Sequence, residues 1–168
     1  MTKYLLPSFG QINLESLEEE YRSEIEINGK VIHIDINFAN ARIEKGLMDA
    51  IKSFIENIHI FDTRNKGHIE NDFNDEDGDT VREYVTFHVE ELGEEFLEEI
   101  GIDSNETEKE QRFLNQLHLT RVGIYPDGKY DTSCFAVFDY SVNRDLTDQL
   151  IVVNTDAMGN LDHLSWES

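Results

Sequence analysis

The sequence predicts an α+β fold in which a largely antiparallel sheet packs against about three helices on one face. Three observations predict it: a hairpin pattern over 21–38, helical periodicity between 40 and 117, and a strand meander from 119 onward. Because the strands and helices are segregated along the chain, they favour an α+β arrangement over repeated βαβ units. The 168 residues fit one domain, 1–168, since single domains commonly run to about 100–200 residues.

The Asn28-Gly29 pair predicts a β-hairpin from Tyr21 to Phe38. Type I′ turns favour Asn-Gly because both central residues need positive φ. This turn sets the register, and one face then becomes mainly apolar while the other is charged, as a one-sided antiparallel sheet requires. The expected pairs are Ile25 with Ile32, Ser23 with Ile34, Tyr21 with Ile36, Arg22 with Asp35, and Glu24 with His33.

An amphipathic stripe predicts a first helix capped by Asn40 and running to Ile58. The segment 62–79 that follows is polar, contains glycine and has no period, so it predicts a loop or a short, poorly anchored helical turn.

Two further helices are expected. Thr80 and Glu83 match a capping box for a helix that ends near Gly101 and that Gly93 could divide. A shorter helix begins near Asn105 and buries the apolar residues Phe113, Leu114 and Leu117.

The C-terminal region predicts an antiparallel meander of four strands over 119–125, 129–140, 149–155 and 161–168. Turn residues at 126–128 and 158–160 separate them. The second strand is apolar on both faces, which indicates a central position in the sheet.

The negative charge is concentrated in one part of the chain. The formal net charge is −22, and residues 70–110, which we call the acidic segment, hold 17 acidic and 2 basic residues. Such a field repels nucleic acid and anionic lipid and accelerates encounter with basic partners. We therefore expect no nucleic-acid and no membrane partner, although the same charge could serve solubility alone.

The expected cellular location is based on the absence of a membrane-spanning segment and of a signal peptide from the sequence. No apolar run approaches the roughly 18 residues of a membrane span, and the N-terminus has no signal-peptide pattern. The single cysteine, Cys134, cannot form an internal disulfide. A cytoplasmic location is expected.

Known catalytic and metal motifs do not match. With Gly78 at the glycine position of an EF-hand, Phe73 and Tyr84 would have to be ligands, which excludes that calcium loop. His88 lies on an apolar helical stripe and is expected to be a core histidine, and burial makes Cys134 a poor nucleophile. The sequence predicts no catalytic, cofactor or metal site.

Five segments of the chain form a recognisable set: Phe9-Gly10, VIHIDINF at 31–38, LTRVGIYPDGKY at 119–130, FDYS at 138–141 and LSWES at 164–168. In these segments the chain resembles a family of small acidic bacterial proteins catalogued only as a domain of unknown function. The resemblance implies the fold and no functional residues. A similarity in size, acidity and α+β build also links the chain to bacterial toxin-immunity proteins.

The leading functional hypothesis is a non-enzymatic module whose acidic surface docks a basic protein, in its most concrete form an immunity-type inhibitor of a basic toxin. Phe73 could supply an apolar anchor. The candidate contact residues are Asp72, Phe73, Asp75, Glu76, Asp77, Glu94, Glu95, Glu98 and Glu99. The alternative is a small enzyme or ligand carrier with a pocket between sheet and helices, using His33, Asp35, or Asp139 with Tyr140. The oligomeric state is left open.

Overall fold

A six-stranded sheet forms the centre of the computed structural model, which describes residues 2–168. Its strands lie in the order β3-β4-β5-β6-β7-β8, and β1 and β2 form a separate two-stranded hairpin. Strands β1 to β8 span, in chain order, Lys3–Leu6, Gly10–Asn13, Glu20–Ile27, Lys30–Asn37, His118–Ile124, Ala136–Ser141, Leu150–Thr155 and Leu161–Glu167. All neighbours in the large sheet are antiparallel except β4 and β5, which are parallel. The predicted α+β class and largely antiparallel sheet are confirmed.

Five α-helices occur in the described residues, so the expected number of about three was wrong. Helices α1 to α5 span Lys45–Glu56, Ile58–Asn74, Thr80–Thr86, Gly93–Glu99 and Lys109–Asn115. A π-helical turn at Phe87–Glu91 links α3 to α4, and a 3-10 turn occupies Lys129–Asp131. Gly93, with φ of +79°, divides the predicted second helix, as its sequence position suggested.

The hairpin prediction is confirmed in every paired residue. Asn28 and Gly29 have φ of +52° and +79°, and Ile25 lies opposite Ile32 as the turn requires. The isoleucines of β4 at 32, 34 and 36 are buried against the helices. We call this the inner face and the opposite one the outer face.

Helix α2 is the main error in the sequence prediction, which expected a loop over much of its length. Its buried side includes Asp62 and Asn65 between apolar residues. These polar residues on the core side interrupt the apolar stripe that would have indicated a helix. Tyr140 on β6 donates a hydrogen bond of 2.7 Å to the Asp62 carboxylate, and the pair holds α2 to the sheet.

Two predicted helix caps are also wrong. The first helix begins at Lys45, after Glu44, and not at Asn40. Thr80 is the first residue of α3, so it does not form a capping box. Asp72 caps this helix instead, because its Oδ2 accepts a 2.9 Å hydrogen bond from the Val81 amide.

The meander is present with shorter strands than predicted. The segment over 129–135 is not a strand, because Tyr130 and Asp131 have φ of +60° and +58° and turn the chain. Strand β6 lies between β5 and β7, which confirms its central position. No helix within residues 2–168 is long and apolar enough to cross a membrane.

Candidate functional site

The acidic segment folds into the end of α2, the chain from α3 to α4, and the start of α5. Most of its carboxylates are exposed. The exposed acidic residues are Asp75, Glu76, Asp77, Asp79, Glu83, Glu90, Glu91, Glu94, Glu95, Glu98, Glu99, Asp103 and Glu108. They form a surface of one sign along consecutive helical elements.

Both basic residues of the acidic segment bond to backbone carbonyl groups. Arg82 Nη2 donates to the carbonyl oxygens of Phe73 and Asp75 at 3.0 and 3.1 Å. Lys109 Nζ donates to the Ser104 carbonyl at 3.2 Å. These hydrogen bonds tie α3 to the C-terminal end of α2, and α5 to the loop that precedes it.

The predicted contact residues divide into two groups. Asp75, Glu76, Asp77 and the four glutamates of α4 are exposed, as a docking surface requires. Asp72 is half-buried and serves as the α3 cap, and Phe73 is partly buried and packs against the core. Phe73 thus contributes to packing of the core. The aromatic side chains beside the acids are those of Phe87 and Trp166.

An aromatic groove lies between α3, the π-helical turn and β8. It has a volume of about 500 Å³ and is lined by Arg82, Glu83, Thr86, Phe87, Glu91 and Trp166. The rings of Phe87 and Trp166 lie 5.4 Å apart between centroids, and both are half-buried. Two carboxylates, Glu83 and Glu91, are therefore placed beside an aromatic surface.

Two partly buried hydrogen bonds position the aromatic side chains of this groove. Trp166 Nε1 donates to Gln149 Oε1 at 2.7 Å, which orients the indole. Tyr84 packs edge-on against Trp166 at 6.0 Å and donates its hydroxyl to the Gln149 carbonyl. The aromatic surface is therefore held by α3 and the β6–β7 connection together.

His88, on the π-helical turn, is fully buried and both ring nitrogens have partners. Nδ1 lies 2.8 Å from the Tyr84 carbonyl, which can only accept, so we assign the proton to Nδ1. Nε2 then accepts from the Thr147 hydroxyl at 2.9 Å. Burial lowers the pKa of His88, against the hydrogen bond to Tyr84. The expectation of a core histidine agrees with this placement.

The outer face carries a second polar cluster, around Arg121. Its Nε and Nη2 donate to the two Asp35 carboxylate oxygens at 2.7 and 2.9 Å, and Nη1 donates to Asp139 at 3.1 Å. Nη2 also donates to the Tyr125 hydroxyl at 3.0 Å. Burial raises the pKa of Asp139, against the attraction of the guanidinium.

A β-bulge and a glycine place Arg121 in this cluster. Leu119 pairs with Tyr140 and Arg121 pairs with Asp139, so Thr120 is an extra residue on β5. The bulge turns Arg121 to the outer face, although Leu119 lies on the inner one. A Cβ on Gly123 would lie 2.6 Å from Arg121 Nη2, so glycine leaves the space along which the guanidinium extends.

A cleft of about 420 Å³ opens beside this cluster on the outer face. His33 and Asp35 line it together with Arg121 and Tyr130. Tyr140 is absent from it, because its hydroxyl bonds to Asp62 on the inner side. The polar cleft thus lies on the outer face, and not between sheet and helices as the alternative hypothesis placed it.

Sequence reasoning missed both the groove and the Arg121 cluster. Phe87 lies outside the repeat of the helical stripe. Trp166 lies near the end of the last strand, and no local pattern indicates that it meets Phe87. Successive side chains of a strand alternate between the two faces of the sheet, but the bulge in β5 interrupts this alternation. The sequence pattern therefore could not assign Arg121 to the outer face.

Comparison of the chain with protein-family models, with curated proteins and with solved structures found no match. The resemblances to a domain of unknown function and to immunity proteins therefore stay predictions.

Proposed function

We propose that this protein is a non-enzymatic binding module that docks a basic protein on its acidic segment, with the aromatic groove receiving a basic side chain of the partner. An immunity-type inhibitor of a basic toxin is its most concrete form. The observation that carries the proposal is the aromatic groove itself, which is lined by Glu83 and Glu91 and is followed along the chain by the exposed acids of α4.

The groove also contains Arg82, whose Nη2 is held by two backbone carbonyls, and its other side chains have the composition that binds an arginine. A guanidinium stacks on an aromatic face and pairs in two-pronged fashion with a carboxylate. Phe87 and Trp166 supply the rings, while Glu83 and Glu91 supply the carboxylates. Interfaces commonly concentrate their binding energy on such central aromatic and arginine contacts.

The surrounding acids would act at longer range. The four glutamates of α4, at 94, 95, 98 and 99, are exposed and lie near the groove in sequence. Their field raises the association rate of a basic partner and makes binding sensitive to salt, since the Debye length falls to roughly 8 Å at physiological ionic strength.

The test uses a fluorescein-labelled arginine-rich peptide as the probe and its anisotropy as the readout. We expect saturable binding at low salt that weakens steeply at high salt. Neutralising Glu94, Glu95, Glu98 and Glu99 to glutamine should weaken binding, mainly through the association rate.

The matched control neutralises four exposed glutamates outside the acidic segment. These residues are Glu18, Glu24, Glu26 and Glu44. Phe87→Ala changes no charge. It should lower the affinity for the labelled peptide by at least about fivefold, which corresponds to the loss of a contact of about 1 kcal/mol. Equal loss in the two four-residue variants together with no effect of Phe87→Ala would reduce the proposal to non-specific charge attraction and refute it.

Affinity capture from the native lysate at low and high salt extends this test. A stoichiometric basic protein that is retained by the control variant and lost by the α4 variant would identify the partner. Capture of the same protein by both variants would refute docking on the acidic segment.

A small enzyme or ligand carrier is the second candidate, favoured by the convergence of His33, Asp35 and Arg121 at one cleft. Tyr130 stands at the cleft and is 70% exposed. A small polar molecule that raises the melting temperature of the wild type but not of Tyr130→Ala would support this candidate. An equal rise in both proteins would refute binding in this cleft.

A further inference from the structure

A separate group of metal-ligating side chains lies where β8 begins, at the end of the sheet. Cys134 Sγ, a carboxylate oxygen of Asp162 and a ring nitrogen of His163 all lie within 4.8 Å of one another. Cys134 is buried, whereas Asp162 and His163 are exposed. The cluster therefore has an inner end closed by the protein and an outer side open to solvent.

A second β-bulge in the sheet brings two of these side chains together. Thr155 pairs with Leu161 and Asn154 pairs with His163, which leaves Asp162 as the extra residue of β8. Neighbouring residues of a regular strand point to opposite faces. Here His163 Nδ1 lies 2.5 Å from Asp162 Oδ2, so both side chains converge on one point.

Cys134 reaches this point from the segment just before β6. The Phe135 amide donates to the Thr155 carbonyl at 3.0 Å, which fixes the chain next to Cys134 at the end of β7. The thiol is thus placed by backbone pairing. Two of the three ligand groups come from β8 and one from the segment before β6, on either side of β7.

We propose that Cys134, Asp162 and His163 bind a zinc ion, with a fourth coordination position open to water. Thiolate, imidazole and carboxylate are the three ligand types that zinc takes in proteins, at about 2.0 to 2.3 Å from the metal. Mg²⁺ and Ca²⁺ select oxygen ligands, so the thiol disfavours them. Three protein ligands and one open position match zinc sites that bind water or substrate.

Zinc binding at this site has a simple proton balance. Zinc takes the thiolate form of cysteine, so a Cys134 thiol must give up its proton when the metal binds. Zinc binding breaks the S–H bond, forms a Zn–S bond and releases one proton to solvent. The affinity should therefore increase with pH, and the overall charge of −22 attracts the cation.

Cobalt(II) serves as the spectroscopic probe, measured on the full chain under reducing conditions. We expect one Co²⁺ per chain, with a thiolate-to-cobalt charge-transfer band and the visible bands of a tetrahedral site. Zinc should displace the cobalt, since it binds such sites more tightly. Addition of zinc in weak buffer should release protons from the wild type.

Three variants test the ligands one by one. Cys134→Ser should abolish the charge-transfer band, and Asp162→Asn and His163→Gln should each weaken cobalt binding by at least about tenfold. His59→Gln is the control, because His59 is exposed and lies on α2. Asp162 and His163 are exposed, so their variants keep the test valid even if Cys134→Ser fails to fold.

Absence of a saturable thiolate band in the wild type would overturn the proposal. An affinity unchanged in both Asp162→Asn and His163→Gln would do the same, because cobalt would then bind Cys134 without the cluster.

Discussion

Removal of the Arg121 guanidinium should destabilise the protein far more than removal of a neighbouring exposed arginine. The side chain of Arg121 is 34% exposed, while the carboxylates that it bonds, Asp35 and Asp139, are 12% and 9% exposed. Arg121→Met would leave both carboxylates without this counter-charge. Breaking a buried pair costs about 3 to 5 kcal/mol, and we expect about 3 kcal/mol because the guanidinium is partly hydrated.

Arg22→Met is the matched control. Arg22 lies on β3, which is separated from β5 by one strand. The Arg22 side chain is 80% exposed and pairs with Glu20, so its loss should cost less than about 1 kcal/mol. Urea unfolding followed by far-UV circular dichroism and by the fluorescence of Trp166 gives both values. The fluorescence is informative because Trp166 is the single tryptophan.

The pH dependence of the free energy of unfolding distinguishes the loss of the Arg121 charge from the loss of its packing contacts. Burial already raises the pKa of Asp139, and loss of the Arg121 guanidinium should raise it further above the unfolded value of about 3.9. A raised carboxyl pKa gives stability that is present at low pH and lost as pH increases, so the deficit of Arg121→Met should be largest near pH 7. The deficit should narrow toward pH 5, by up to about 1.4 kcal/mol per pH unit, as Asp139 takes up a proton. A deficit equal to that of Arg22→Met, or one that does not change with pH, would refute the reasoning.

Three other predictions concern the core. Tyr140→Phe removes the hydroxyl that donates to Asp62, a residue 3% exposed, and should cost about 1 to 3 kcal/mol in urea unfolding. Gly159→Ala should lower the melting temperature, because its Cβ would lie 2.3 Å from the Phe61 ring and its φ is +76°. A Cβ added at Gly67 on α2 would have no atom within 4 Å, so Gly67→Ala should raise the melting temperature instead. Equal changes of melting temperature in the two variants would contradict this explanation. For His88, the folded pKa lies below the unfolded value of about 6.5, so stability should be complete above that pH and decrease as pH falls through it. His88→Gln should show a shallower decrease between pH 7 and 5.5 in the same unfolding assay, and an unchanged slope would count against the buried neutral imidazole.

Local patterns predicted the parts of the fold that short stretches of chain determine. The Asn28-Gly29 turn fixed all pairs of the β3–β4 hairpin because loop length and residue type set the register. Gly93 marked a helix boundary for the same reason, since its φ of +79° suits few other residues.

The errors occurred where tertiary contacts override local pattern. Helix α2 buries Asp62, which a sequence pattern assigns to solvent, and only its contact with Tyr140 explains the burial. Arg22 was correctly placed opposite Asp35, but the strong pair of Asp35 is Arg121, 86 residues away. Pairs of this separation leave no trace in local periodicity, and the bulge at Thr120 removes the alternation that would have assigned the face.

The parallel pairing of β4 with β5 has a consequence for the order in which the chain folds. The β3–β4 hairpin and the β5–β8 meander each form from neighbouring strands, whereas their junction must close the 80 residues between Asn37 and His118. Loop closure over such a length carries an entropic penalty that short turns avoid, and non-local pairings slow folding. Until the junction forms, β4 and β5 each expose an unpaired edge that another chain could extend. Fast docking of the helical region would shorten the lifetime of these edges and protect the nascent protein from aggregation.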